Sequence, residues 1–439
     1  MVGVEQRNLQ TANSCFSDSF IISILSWGVW DAVRHPKLFY HYPLRYKNYH
    51  YLAVSMRTKI TIATDSFKGS LSSREAAEAL AEGVRSVVPE CEVVVVPVAD
   101  GGEGTAEILT EALGGSWHTV ATLDPLGRPS EARYGWHNGV AIMDVASAAG
   151  LTLLSPEERN PLLTSSLGVG RMILDAIAKG AHEIVLGVGG SATNDCAMGL
   201  LEGLGVRFFD SEGRRLRGCG ANLERVASID LSGLSSELSE RKIKISLVTD
   251  VTTPLCGPEG ATRTFAPQKG ASGSDVERLE KGVNNFAEVV RSTLGVDMTT
   301  LVGGGAAGGI AAGLWAFVGA DIKSGVEEVL KAVGLERRAE GSALIITGEG
   351  RIDSQTLQGK LPIGVLAIAN RLGIPTVAVG GRVLWCEPLQ RAGFKEIMEA
   401  TPKDMPLREA LKGEVARENL RSVGARIGWL LLSEVCKPR

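Results

Sequence analysis

From Lys59 onward the chain alternates short apolar runs with longer amphipathic stretches. Runs at 59–64, 93–98, 184–186, 344–347 and 376–379 are too short for helices and are followed by glycine-containing turns, which predicts buried strands. Between them apolar residues recur at helical spacing. Ala76, Ala79, Leu80, Val84 and Val87 line one face, behind a Ser72/Glu75 capping box. Val276, Leu279, Val283, Phe286 and Val290 form a second stripe, with Ser274 and Glu277 as its expected cap. A helix is predicted up to Leu113, another after Asp195 through Leu200, Leu201 and Leu204, and a helical C-terminus over 407–435. Strand–helix alternation of this kind predicts an α/β fold with a parallel-sheet core.

The strands end in glycine turns that carry an acid or a base. The most informative stretch is 183–205, EIVLGVGGSATNDCAMGLLEGLG. A strand that turns through glycine into a helix presents free backbone N–H groups to an anion. Similar turns follow at 65–71 (DSFKGSL), 99–105 (ADGGEGT), 348–353 (GEGRID) and at Gly380-Gly381. In open α/β sheets ligands sit beyond the carboxyl ends of the strands, so turns far apart in sequence converge on one site.

Composition narrows the chemistry. The 439 residues are too many for a typical single domain. A net charge of −4 argues against a nucleic-acid footprint. The seven cysteines are odd in number and scattered, without a CxxC, which fits reduced thiols in a cytoplasmic setting. Only six histidines occur, three of them before residue 55, so a histidine triad or a His-ligated metal is not expected. No GxxxxGK[ST] is present, and Gly187-Val188-Gly189-Gly190 does not complete GxGxxG, which leaves a nicotinamide-dependent dehydrogenase as a runner-up.

Residues 1–55 differ from the rest, with five of the six tyrosines. Their apolar stretch at 20–30 is far shorter than a bilayer span of about 20 residues. We expect an extension outside the fold, with Met56 as the natural start. A protein lacking residues 1–55 is expected to stay soluble and keep its turnover, as measured by expression and steady-state assay.

Acids inside glycine turns suit magnesium and nucleotide, because magnesium takes one or two carboxylates and completes its shell with phosphate and water. The candidate acids are Asp65, Asp100, Glu103, Asp195, Asp250, Glu349 and Asp353; the candidate cations are Lys68, Arg263, Lys269, Arg351 and Lys360. The ordered motifs DSFKGSL (65–71), PVADGGEGT (97–105), GGSATND (189–195), DVT (250–252), PQKGA (267–271), GAAGG (305–309) and TGEGRID (347–353) resemble the type I glycerate kinase family over the chain from about Met56. The resemblance implies ATP- and Mg²⁺-dependent phosphorylation of D-glycerate. It also implies two α/β domains, one inserted into the other, around an interdomain cleft. The expected division is 56–120 with 291–439 for one domain and 121–290 for the insert.

The resemblance does not fix individual roles, which we assign by chemistry. Asp100 is expected to accept the hydroxyl proton, with Lys68 and Arg351 as catalytic cations. Gly189, Gly190, Ser191, Thr193 and Lys360 are expected to bind phosphate or nucleotide, and Asp65, Ser66, Lys269 and Asp353 the substrate. Asp195 and Asp250 are the expected Mg²⁺ ligands, and the 2-hydroxyl is preferred over the 3-hydroxyl as acceptor. The chain departs from the family pattern at Cys196 and Ala197, where two glycines are usual, and mildly at Gly303-Gly304-Gly305. Side chains at 196 and 197 would either crowd a phosphate or point into the core. The first outcome would favour a catalytically silent phospho-ligand sensor.

Overall fold

The structure, a computed structural model, describes residues 58–435. The expectation for residues 1–55 therefore lies outside the described residues. In chain order the main elements are β1 (Lys59–Thr64), α1 (Ser73–Val87), β2 (Glu92–Val95), α2 (Thr105–Ala112), β3 (Ser116–Leu123), β4 (Pro129–His137) and β5 (Val140–Asp144). Next come α3 (Leu167–Ala178), β6 (Glu183–Gly187), α4 (Met198–Gly203), β7 (Lys244–Val248), α5 (Gly273–Leu294), α6 (Ala306–Val318) and β8 (Asp321–Lys323). The chain closes with α7 (Gly325–Ala332), β9 (Leu344–Ile352), α8 (Leu361–Leu372), β10 (Thr376–Val383), β11 (Glu396–Glu399) and α9 (Gly413–Val435).

Two large sheets organise these elements. The first has the order β11-β10-β9-β1-β2 and is wholly parallel. Its alternation is visible in single residues. Ile60, Ile62, Leu344 and Ile346 pack under α1 and α9, while Ala63 and Ile345 pack under α7 and α8 on the other face. The second sheet has the order β8-β7-β6-β5-β4-β3, parallel from β8 to β5 and antiparallel at β4 and β3. Its core joins Ile184, Leu186 and Leu247 to Phe208, Phe286 and Leu314. A small antiparallel sheet of Arg207–Phe209, Arg215–Leu216 and Ser228–Asp230 lies beside it.

The first sheet draws on both ends of the described chain, and the second on the middle. β8 falls beyond 290 yet pairs with β7, so the chain returns to the first sheet only after Lys323. The capping box of α1 is as expected, but α5 begins earlier. Ser272 and Asp275 form its box, while Glu277 is drawn into an ion pair with Arg263. The strand expected over 93–98 stops at Val95. In the opposite sense, β9 runs through the expected turn to Ile352 and β10 through Gly380-Gly381 to Val383, because each supplies the other's ladder partners. The C-terminal helix is interrupted before Gly413.

Candidate active site

The carboxyl ends of both sheets meet at residues 99–104. Gly189, beyond β6, packs its Cα against Gly102, leaving no room for a side chain. Gly101 lies against the β7 end, where an added Cβ would stand 2.8 Å from the Val248 carbonyl oxygen. This turn carries Asp100, whose Oδ2 accepts a 3.2 Å hydrogen bond from Lys68 Nζ on the loop after β1. Asp100 Oδ1 accepts from the Gly102 amide at 3.1 Å, so the turn itself sets the carboxylate's direction.

Around Lys68 the acids crowd. Asp65 is buried, with the Ser66 amide donating to its Oδ1 at 2.7 Å. Burial, followed by repulsion from Asp100, pushes the Asp65 carboxyl up to about 8, against the opposing pull of Lys68. Glu349 is also raised, chiefly by burial, although Thr356 Oγ1 donates to it at 2.7 Å and Lys360 Nζ stands 3.7 Å away. Lys68 in turn is raised, mainly by Asp100. Two cations and three carboxylates thus share the junction. Arg351 lies at its margin, exposed and paired with Asp353 at 2.7 Å. The other oxygen of Asp353 accepts from the Gln355 amide at 2.9 Å.

Gly190 is exposed and Gly189 half-buried, and neither amide donates to a backbone acceptor among the described residues. The residues after them turn inward. Thr193 and Asp195 are fully enclosed. Lys269 Nζ, also buried, donates to Ser191 Oγ at 3.0 Å and to the Thr193 carbonyl at 2.6 Å. Burial outweighs the attraction between Lys269 and Asp195, so the lysine falls to about 8 and the aspartate rises. Lys269 therefore ties Ser191 to Thr193 within the turn.

The two expected metal ligands are each engaged at a helix start. Asp195 Oδ2 accepts from the Ser166 amide and hydroxyl at 2.9 and 2.8 Å, at the start of α3. Asp250 accepts from Ser324 Oγ, the Gly325 amide and the Val326 amide at 2.8, 3.0 and 2.9 Å, at the start of α7. Each carboxylate is tied to a different helix start. Asp250 alone neighbours Asp100, whose charge helps raise it. Arg263 is outside the junction, engaged on the surface with Glu277.

Cys196 and Ala197 are fully buried in the core, with φ of 51° and 65°. They occupy left-handed backbone that glycine adopts without strain. The Cys196 amide donates to the Gly308 carbonyl at 3.1 Å, so the kinked start of α6 packs directly behind the turn. The two side chains do not crowd an anion, which removes the reason for a silent sensor. Sequence reasoning missed Asp144 and Ser166. An aspartate at a strand end and a serine before a helix carry no signal of their distant partners.

A two-sheet α/β fold with cations, carboxylates and open glycine amides gathered at parallel strand ends defines a small-molecule phosphotransferase. Comparison with known proteins gives the class its particulars. Residues 60–432 match the glycerate kinase family model. A glycerate 2-kinase of Escherichia coli (strain K12) is 43% identical over 74% of this chain and 85% of its own. A glycerate kinase of Bacillus subtilis (strain 168) is 40% identical over 84% and 97%. A crystal structure from Salmonella typhimurium LT2, described as a glycerate kinase 2, superposes with a TM-score of 0.70 at 40% identity, covering 86% of this chain and 99% of that one. The chain belongs to the glycerate kinase family and is a kinase acting on a small molecule.

Proposed function

We propose that the protein transfers the γ-phosphoryl group of ATP, with Mg²⁺, to the 2-hydroxyl of D-glycerate, giving 2-phosphoglycerate. The observation that carries this is the meeting of Lys68, Lys360, Asp65, Asp100 and Glu349 at one junction of strand ends. The name of the Escherichia coli relative supports the choice of hydroxyl. The two sheets, divided at the crossings near 96–104 and 324, would form two domains closing on that junction.

Asp100 accepts the proton from the attacking hydroxyl, whose oxygen forms the new bond to phosphorus as the bond to the leaving ADP oxygen breaks. Lys68 donates a hydrogen bond to Asp100 and offsets phosphate charge. Asp65, protonated at neutral pH, donates a hydrogen bond to a substrate oxygen, and Lys360 faces the phosphates from the start of α8. The Gly189 and Gly190 amides receive phosphate oxygens. Lys269 keeps Ser191 and Thr193 in place behind them. Arg351 is the margin cation for the glycerate carboxylate.

The donor set fits magnesium. No group of three or more His, Cys, Asp or Glu among the described residues could hold a metal alone. Magnesium arriving on nucleotide phosphates needs only one or two carboxylates, and Asp100 and Glu349 both stand close enough to act on Asp65 at the junction. Bound there, it would neutralise charge on the phosphates.

No helix among the described residues is long and apolar enough to cross a membrane, and the cysteines described are free. Both agree with a cytoplasmic enzyme. Phosphorus NMR of the product decides the reading. A resonance coupled to the C2 proton is expected; coupling to the C3 protons would move the acceptor to the 3-hydroxyl. ATP consumption that ignores D-glycerate would overturn the function.

A further inference from the structure

The chain crosses between the two sheets twice. It leaves through 96–104, between β2 and α2, and α2 then packs on β4 and β5. It returns through Ser324, between β8 and α7, and α7 packs against α8 beside the first sheet. Both crossings open directly into a helix, and at both the first amides of that helix are held by a carboxylate from the second sheet. Asp144, the last residue of β5, is buried. Its Oδ2 accepts from the Gly104 amide at 3.0 Å and its Oδ1 from the Ala106 amide at 3.1 Å. Asp250, just past β7, does the same for Gly325 and Val326 at 3.0 and 2.9 Å, and takes the Ser324 hydroxyl at 2.8 Å.

An ordinary N-cap comes from the residue at the helix start. Gly104 offers no side chain for that purpose. Ser324 already supplies a local cap to the Glu327 amide, so Asp250 is an additional hold. The two crossings also touch. Gly325 packs against the Asp100 carbonyl so closely that a side chain there would overlap it. Asp100 thus sits where the crossings meet, and its carboxylate follows the turn through the Gly102 amide.

We propose that Asp144 and Asp250 are positioning residues, pinning the two crossings so that the Asp100 carboxylate is held facing Lys68. The inference rests on Asp100 being the group that accepts the substrate proton. The bland alternative is that both aspartates are caps that serve stability alone. The placement argues otherwise, since both reach from a different strand to the two segments that bracket Asp100.

The test compares Asp144→Asn and Asp250→Asn with Asp100→Asn and with Ile427→Val, a methyl deletion in the α1/α9 core, in the full-length protein. Asparagine keeps one acceptor oxygen but presents an NH₂ to the second amide. The two positioning variants are expected to lower kcat about 10- to 100-fold, as a misplacement near 1 Å would, with both KM values nearly unchanged. Hydrogen–deuterium exchange over residues 99–106 should accelerate in both. Ile427→Val should lose melting temperature without either effect. Unchanged kcat and unchanged exchange in the positioning variants, with only a lower melting temperature, would overturn the proposal. If Asp144→Asn does not fold, Asp250→Asn carries the same readouts and decides alone. If Asp100→Asn keeps its turnover, the reading of Asp100 fails instead, and the exchange data still report whether the crossings are pinned.

Discussion

Asp100→Asn is expected to lower kcat by about 10²- to 10⁴-fold, the range of a lost general base, while both KM values change little. Asparagine preserves the acceptor that the Gly102 amide uses at 3.1 Å, so the turn should survive. What disappears is the oxygen that faces Lys68 and can take a proton. Turnover measured against Mg²⁺ concentration separates two explanations of the loss. A weakened metal ligand is partly rescued by excess Mg²⁺, whereas a missing base is not. Near-normal kcat would move the base to Asp65 or Asp353. Each is less apt. Asp65 already tends to hold a proton, with its carboxyl near 8, and Asp353 is engaged by Arg351 and the Gln355 amide.

Much of this site was legible before any coordinates, and the reason is local. A strand that ends in glycine and then an acid is a short-range pattern, so DSFKGSL, ADGGEGT and GVGGSATND could each be placed at a strand end from a few residues. Parallel packing then had to bring strand ends together, which put Lys68, Asp100 and Gly189 at one junction. The parts of the arrangement that the sequence does not reveal are long-range. Asp195 and Asp250 looked like metal ligands because each stands in a turn, yet each satisfies amides at a helix start far along the chain. Lys269 looked like an anion receptor because it is a lysine beside glycine. Its amine instead closes on Ser191 and Thr193. Nothing in the sequence around these residues reports partners 29 to 78 positions away. The α5 cap was misplaced for a related reason. Ser272/Asp275 and Ser274/Glu277 both look like caps, and the Arg263 pairing of Glu277 chooses between them. The β9 turn was misread because its glycines are strand residues paired to β10, where Gly348 faces Val379 and Glu349 faces Gly380.

Lys68→Met is expected to act on both rate and pH dependence, and the second effect is the more diagnostic. Methionine keeps the apolar stem and removes the charge. The loss of one cation from the transferring phosphoryl group should reduce kcat by about 10²- to 10³-fold, similar to other single electrostatic contacts in a transition state. Lys68 also lowers the carboxyls of Asp65 and Glu349 by its charge. Without it those carboxyls rise further. Asp65, proposed to donate its proton in a hydrogen bond to the substrate, then keeps that proton to higher pH. The alkaline limb of the kcat profile should therefore move to higher pH in Lys68→Met. Lys68→Arg should keep the charge and leave that limb near its original position, while recovering only part of the rate because a planar guanidinium does not replace a compact ammonium. Lys360→Met makes the contrast. Its amine stands 3.7 Å from Glu349 and lowers that carboxyl. Its loss should raise the KM for ATP with little movement of the alkaline limb. Identical pH profiles in Lys68→Met and the unaltered protein would show that Lys68 serves phosphate alone and does not hold down the Asp65 carboxyl.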